Sequence, residues 1–508
     1  MTQADRRRFL QGTGALAASA AIAKAARAEE PRDAGQPHRG SRFQGKPEPI
    51  ISGPSQAEGI AAFASRARYE DLAPERRERL KVSVLDGLSC AINAIGAAPV
   101  EACRAQAEEL GGPGGRCTLI GGGRGNVVYA AFYHTALVRY VDFMDSYLAD
   151  RELCHPSDNL GAVLAASEHA ELSGKEFLTA LAVAYQVESR LTASASFMAH
   201  GFDLTTQLSY SLAAGVSRVL GLDEAMTAAA VGICGDVIPL LVVRTTPVSQ
   251  WKGLTSSQLA LGCVHGVLLA SRGVTGPKYV VEGPHGLAQA LGQPIRIDWG
   301  REELDVFDRL VLKSYNTAVP GQASIQCMLE LCKASAIDPA KVERIENDTF
   351  QDAYDFMGGG SFGPKTDVHT KEDADHSLPY LLAVALLDGD VQPAQLEPRR
   401  IDEPDVQSLL RKVEVRPEAG FTARYPDEAP SRVTVRLEGG ASYSHEVSDY
   451  PGFPTRPFTR EDVDAKFDRL AAGRADDALG RDIKAAVRAL ESIQVKDLMK
   501  LLGLVKAA

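Results

Sequence analysis

Between residue 56 and about residue 310 the apolar residues recur at helix spacing, in blocks of about 12 to 18 residues broken by short turns. Such blocks must bury their stripes against one another, so this region is expected to be an all-α domain. Ile60, Phe63, Ala64 and Ala67 mark the first helix. Pro74 opens the second at its first position, and Leu80, Val84, Leu88, Ala91 and Ile92 form its stripe. Helices follow at 127–141, 159–172, 174–190, 206–220 and 258–270, with Gly221 as a C-terminal stop and Asp223 as the next N-cap. The glycine-dense stretch 111–125 matches no nucleotide fingerprint and reads as a flexible loop.

After Lys313 the periodicity changes. Residues 322–334 and 375–387 read as helices, and 344–350, 412–416 and 432–437 as strands. Gly439-Gly440 joins the last of these to 442–447 as a hairpin. Helical spacing returns at 459–472, 477–492 and 495–504. The chain is therefore expected to be mainly α: an all-helical domain at 55–312 and a smaller α+β domain at 313–458, with C-terminal helices at 459–508.

The N-terminus has a different character. Arg6-Arg7-Arg8-Phe9-Leu10 resembles a twin-arginine pattern, a weakly apolar run follows, and Ala26-Arg27-Ala28 resembles a cleavage site. Residues 1–28 are thus expected to be an export signal and 29–54, rich in Pro, Gly and charge, a disordered linker. The protein would be periplasmic or secreted. The whole chain carries −11. The signal holds five basic residues against Asp5 alone, so the remainder carries about −15, which argues against nucleic-acid and anionic-membrane partners. No later stretch has the apolar length of a membrane span. The eight cysteines form no C-x-x-C pair, so no zinc or iron–sulfur ligand set is expected.

Chemistry-bearing residues concentrate in Arg139-Tyr-Val-Asp-Phe-Met-Asp-Ser-Tyr147 and in Cys154-His-Pro-Ser-Asp-Asn-Leu-Gly161. If the first segment is helical, Arg139, Asp142, Asp145 and Ser146 share a face. Pro156 turns His155 away from helical geometry, which leaves an imidazole on a loop beside carboxylates, a pattern suited to acid–base work. The plain alternatives are a solvated Arg139–Asp142 pair, worth little, and Ser157-Asp158 as an ordinary helix cap.

RYVDFMDSY followed by CHPSDNLGAVLAASE resembles the signature of the MmgE/PrpD family, which includes 2-methylcitrate dehydratase, cis-aconitate decarboxylase and iminodisuccinate epimerase relatives. Four further ordered stretches resemble that family: Trp251-Lys252-Gly253; Gly273–Pro277 with Glu282-Gly283; Lys313-Ser-Tyr-Asn-Thr-Ala-Val-Pro-Gly-Gln322; and Ala374-Asp-His-Ser-Leu-Pro-Tyr380. The resemblance spans roughly residues 55–505. It implies that the C-terminal helices return to the helical domain and that the protein is a homodimer. It also implies Asp142, Ser146, His155, Lys252 and Lys313 as catalytic positions; Arg139, Asp145, Asp203, Tyr315 and Gln322 are the candidates for contact with the substrate. No cofactor or metal is implied.

Three positions depart from the family pattern. Gly201-Phe202-Asp203 stands where several relatives have Gly-aromatic-His, Pro320 lies in a segment that commonly holds a histidine, and Met144 replaces an Asp or Asn. His155 then remains as the main imidazole, with His200 beside the altered stretch. Asp375 and His376 are balanced between catalysis and holding a domain interface. Eliminating water from a hydroxy-polycarboxylate requires cations for its carboxylates, a base for a carbon-bound proton and an acid for the leaving hydroxyl. Arg139, Lys252, Lys313 and Arg244 can supply the positive charge. The leading expectation is a cofactor-independent hydro-lyase acting on a small di- or tricarboxylate such as a 2-methylcitrate-like acid. An epimerase using the same proton abstraction and an exported polycarboxylate-binding protein without turnover are the alternatives.

Overall fold

A computed structural model describes residues 52–506 apart from Pro113. The expected signal and nearly all of the expected linker lie outside these residues. The described chain is mostly helical with small sheets.

Helix starts follow local chemistry. Ser55 and Glu58 form a capping box for Gln56–Arg66, and Ser173 and Glu176 do so for Gly174–Ser194. Pro74 opens Pro74–Ala94, and Asn126 accepts from the Tyr129 amide to start Val127–Tyr140. Asp223 caps Glu224–Cys234 and Gly221 takes a left-handed φ of 66°, as expected of a stop. Helix Val127–Tyr140 lies centrally, packed against Pro74–Ala94, Leu160–His169 and Thr255–Ala270. Gly161 makes one of these crossings possible, because a Cβ there would meet the Thr135 amide nitrogen at 2.3 Å. Within the glycine-dense stretch, Cys117–Thr118 pairs with Arg124–Gly125, and Gly121, Gly122 and Gly123 all take positive φ.

The apolar interior forms three clusters. The largest joins the helices before residue 313 with Val463, Phe467, Val487 and Leu498 of the C-terminal helices. The second holds residues between Tyr315 and Leu437 around a four-stranded sheet of order Val413–Pro417, Val342–Thr349, Ser431–Leu437, Ser442–Val447. The first pair is parallel and the others antiparallel. A small third cluster, with Leu148, Leu204, Val311, Val319 and Phe453, connects segments from both regions.

Two expected helices are corrected. The 139–147 stretch is not helical beyond Tyr140. Asp142 takes a left-handed φ of 54°, and Ser146–Leu148 is a strand between Leu153–Cys154 and Leu310–Val311. The helix expected at 375–387 begins at Leu378, because the Ser377 hydroxyl caps the Tyr380 amide and Pro379 lies in the first turn. Asp375 and His376 therefore lie in the break between this helix and Lys371–Ala374.

Candidate active site

The three-stranded sheet aligns the site. Ser146 pairs with Val311 and Tyr147 with both Cys154 and Leu310. Asp142 leads into the central strand, His155 follows one neighbour and Lys313 follows the other. Three segments distant in sequence thus meet at one point, although the strands hold only two or three residues each.

Asp142 is the centre of the charge network. Its Oδ1 accepts from Arg139 Nη1 at 3.0 Å and from Lys313 Nζ at 2.7 Å, and its Oδ2 accepts from Lys252 Nζ at 2.7 Å. Lys313 also donates to the Asp142 carbonyl at 2.9 Å. All four residues are buried, so the solvated-pair alternative for Arg139 and Asp142 does not hold. Burial alone would raise the Asp142 carboxyl, but the charges of Arg139, Lys252 and Lys313 hold it well below the usual carboxylate range. Burial lowers both lysines from the ordinary lysine value, and Asp142 opposes that shift. The left-handed backbone at Asp142 directs one carboxylate toward three cations, a conformation aspartate tolerates better than most residues.

His155 has its Nδ1 3.0 Å from the Asp145 carbonyl and 2.9 Å from Ser146 Oγ. A carbonyl only accepts, so Nδ1 carries the proton and Nε2 the lone pair. Nε2 has no hydrogen-bond partner among the described residues. Burial, and then the charges of Arg139 and Lys313, keep the imidazole pKa well below its ordinary value. At neutral pH this group is a neutral base.

Asp145 is occupied in holding that loop. Its Oδ1 accepts from the Ser157 amide and its Oδ2 from Tyr185 Oη, both at 3.0 Å. Burial raises its carboxyl to about 6. Asp158 accepts from Ser256 Oγ at 2.5 Å, and neither Ser157 nor Asp158 caps the following helix. Gln322 reaches back to the Lys313 loop: Oε1 accepts from the Ser314 and Tyr315 amides, and Nε2 donates to the Tyr315 carbonyl at 2.7 Å. Tyr315 Oη donates to Gln326 at 2.5 Å. The hydrogen bonds of Asp145, Tyr315 and Gln322 thus support the segments that carry His155 and Lys313.

Asp375 and His376, left open between two roles, join the network. His376 Nδ1 is 2.5 Å from Asp375 Oδ1, and Nε2 is 3.9 Å from Asp142 Oδ2. Burial and then the charge of Lys252 lower His376 to about 3 against the pull of Asp375. The Ser-Leu-Pro helix start just after His376 was the available signal that its backbone is non-helical. Asp142, Asp375 and His376 also place donor atoms within 4.8 Å of one another, a spacing a metal could use. That position is taken by Lys252 Nζ, at 2.7 Å from Asp142, 3.4 Å from Asp375 and 3.2 Å from His376.

The departures from the family pattern are structurally accommodated. Asp203 forms a buried pair with Arg244 at 2.5 and 3.1 Å and accepts from Thr205. Burial opposes its ionisation, but Arg244 and Thr205 keep its pKa below the usual value. Arg244, named with Arg139, Lys252 and Lys313 as a source of positive charge, is thus paired with Asp203. His200 is exposed and turned to the Ser196 carbonyl, and none of the hydrogen bonds of Asp203 reaches it. Pro320 lies in a buried single turn that precedes helix Gln322–Ala334. Met144 is buried with its sulfur 3.8 Å from Arg139 Nη1. Lys466, from C-terminal helix Arg460–Leu470, was not anticipated. Its ammonium pairs with Asp86 at 2.7 Å and donates to the carbonyls of Phe143 at 2.7 Å and Lys313 at 3.1 Å. Nothing in its local sequence distinguishes it from a surface lysine.

Comparison with known proteins assigns the chain to a family. The MmgE/PrpD N-terminal domain matches residues 58–299 and the MmgE/PrpD C-terminal domain matches residues 315–492. The chain is 25% identical over 469 residues to the alkylcitrate dehydratase phiI of Fungal sp. (strain ATCC 74256), covering 84% of this chain and 89% of that protein. It is 27% identical over 350 residues to 2-methylcitrate dehydratase of Cupriavidus necator and 25% identical over 358 residues to that of Escherichia coli K12, in each case covering 64% of this chain and 70% of the relative. Matched by both of the family's domains over most of its length, this chain belongs to the MmgE/PrpD family.

Proposed function

We propose that the protein is a hydro-lyase that removes water from a citrate-like hydroxy-polycarboxylate. The observation that carries this reading is the Asp142 centre: three buried cations share one carboxylate beside a neutral imidazole whose lone pair has no partner among the described residues. The names of the relatives, 2-methylcitrate and alkylcitrate dehydratase, agree with it.

The chemistry follows from the charges. A proton on carbon next to a carboxylate is weakly acidic, and its removal places further negative charge on the carboxylate oxygens. Arg139 and Lys313 supply fixed positive charge for that developing charge in a water-poor site. His155 Nε2 takes the proton, and Ser146 with the Asp145 carbonyl holds the ring orientation. The leaving hydroxyl needs a proton. Lys252 can supply it, because burial makes its ammonium more acidic than a free lysine. The same side chains perform each step without a bound cofactor.

Incubating the purified protein with a panel of hydroxy di- and tricarboxylic acids and following ultraviolet absorbance tests this reading. A conjugated unsaturated product from at least one hydroxy acid is expected. Unchanged spectra for every member would count against dehydration.

A further inference from the structure

We propose that Lys365 binds a second carboxylate of the substrate, remote from the reacting carbon, and so selects for polycarboxylates. This rests on the dehydratase reading, because it assigns a further contact to the same substrate. Seven lysines and arginines are buried among the described residues. Lys81, Arg139, Arg244, Lys252, Lys313 and Lys466 each have a carboxylate within ion-pair distance. Lys365 has none among the described residues. Among the described residues its ammonium donates one hydrogen bond, to Thr246 Oγ1 at 3.2 Å.

A buried cation without a counter-ion is costly, so chains rarely keep one unless an anion arrives. Here the burial is built in. Lys365 lies in the segment between Gly359 and Thr370, where it and Val368 alone are buried. Val368 belongs to an apolar core, whereas Lys365 turns a charge inward. Its backbone is pinned as well: the Lys365 carbonyl accepts from Ser377 Oγ at 2.6 Å, one residue after His376. Thr246, its contact, lies in the segment leading to Lys252.

Nearby carboxylates are already committed. Asp373 accepts from the Val248 amide and from Thr370 Oγ1. Asp375 is shared among Lys371, Lys252 and His376. The charges of both Asp373 and Lys252 bear on Lys365, which places it in the field of the catalytic centre. At that centre the three cations already share Asp142, so a substrate with two or three carboxylates brings more negative charge than they leave unpaired. Among the described residues Lys365 is the buried cation that has no carboxylate partner and can meet it.

Calorimetric binding of propane-1,2,3-tricarboxylate and of glutarate, which lacks one carboxylate, tests this assignment in the wild type, Lys365→Met and Lys365→Arg. Loss of a buried charge contact is expected to weaken tricarboxylate binding by about 30-fold or more in Lys365→Met, leave glutarate nearly unchanged, and be partly restored in Lys365→Arg. The ligand-free Lys365→Met protein should unfold at the same or a higher temperature, because an unpaired buried ammonium is removed; a purely structural lysine would lower it. Equal effects on both ligands, or unchanged tricarboxylate affinity, would overturn the assignment. If Lys365→Met fails to fold, the comparison of the two ligands in Lys365→Arg decides in the same way. Wild-type binding that depends on Lys365 with no turnover of any hydroxy acid would sink the dehydratase reading alone; turnover with Lys365-independent affinity would sink this one alone.

Discussion

His155 has two hydrogen-bond acceptors on Nδ1, two cations nearby and no partner on Nε2 among the described residues. A base must be unprotonated to act, and the folded-state pKa of this imidazole lies well below its ordinary value. The sign is therefore fixed: as pH falls through the ordinary histidine range the base stays active, and the acid limb of kcat/KM attributable to it should appear well below that range. His155→Ala should lose at least about 100-fold in kcat. A fall in kcat/KM centred at the ordinary histidine value, moved by that substitution, would contradict this protonation state. Lys313→Met should shift the acid limb upward by removing one of the charges that hold the proton off. Much of this site was legible in the residues, because Arg139, Asp142, Ser146, His155, Lys252 and Lys313 converge from motifs read in order. Protonation was not, since it depends on burial and on charges that only folding brings together. His376 was weighed but not placed, because a dipeptide before a helix start gives no sign of which way its ring turns.

At the scale of elements, the helices were legible because their stripes are long and their caps local. Ser55, Pro74, Ser173 and Asp223 each act within three or four residues of themselves. The sheet that carries the site was not legible. A strand of two or three residues offers too little alternation to be distinguished from a helix end, and Arg139 to Tyr147 also fits helical spacing. Its pairing with Leu310–Val311 is a long-range contact. Helix Arg460–Leu470 completes this geometry through Lys466, whose ammonium joins the carbonyls of Phe143 and Lys313. Those carbonyls adjoin Asp142 and belong to Lys313 itself, so Lys466 fixes the angle at which the pair meets. Lys466→Met should leave Asp86 buried without its cation and destabilise the fold by about 3–5 kcal/mol, measured by chemical denaturation. In protein that remains folded, kcat should fall more than KM rises, because orientation and not substrate affinity is disturbed. A loss of stability with unchanged kcat would assign Lys466 a structural role alone.

For the whole molecule, the change of periodicity near Lys313 was visible in the sequence, and the described chain has separate apolar clusters before and after that point. The interior shared by the C-terminal helices and the first region was expected only from family resemblance, since periodicity does not say which core a helix joins. The buried charge network draws on both regions: Asp142, His155 and Lys252 come from the first, while Lys313, Asp375 and His376 come from the junction and beyond it. The central claim is that this assembled centre removes a carbon-bound proton and expels the neighbouring hydroxyl. Proton NMR in D₂O, on a panel of citrate-like hydroxy acids with wild-type protein and His155→Ala, tests it most directly. The account predicts olefinic signals growing as the signals of one hydroxy acid decline, with both changes slowed together in His155→Ala. Deuterium entering one carbon without any olefinic product, or spectra that never change, would contradict it.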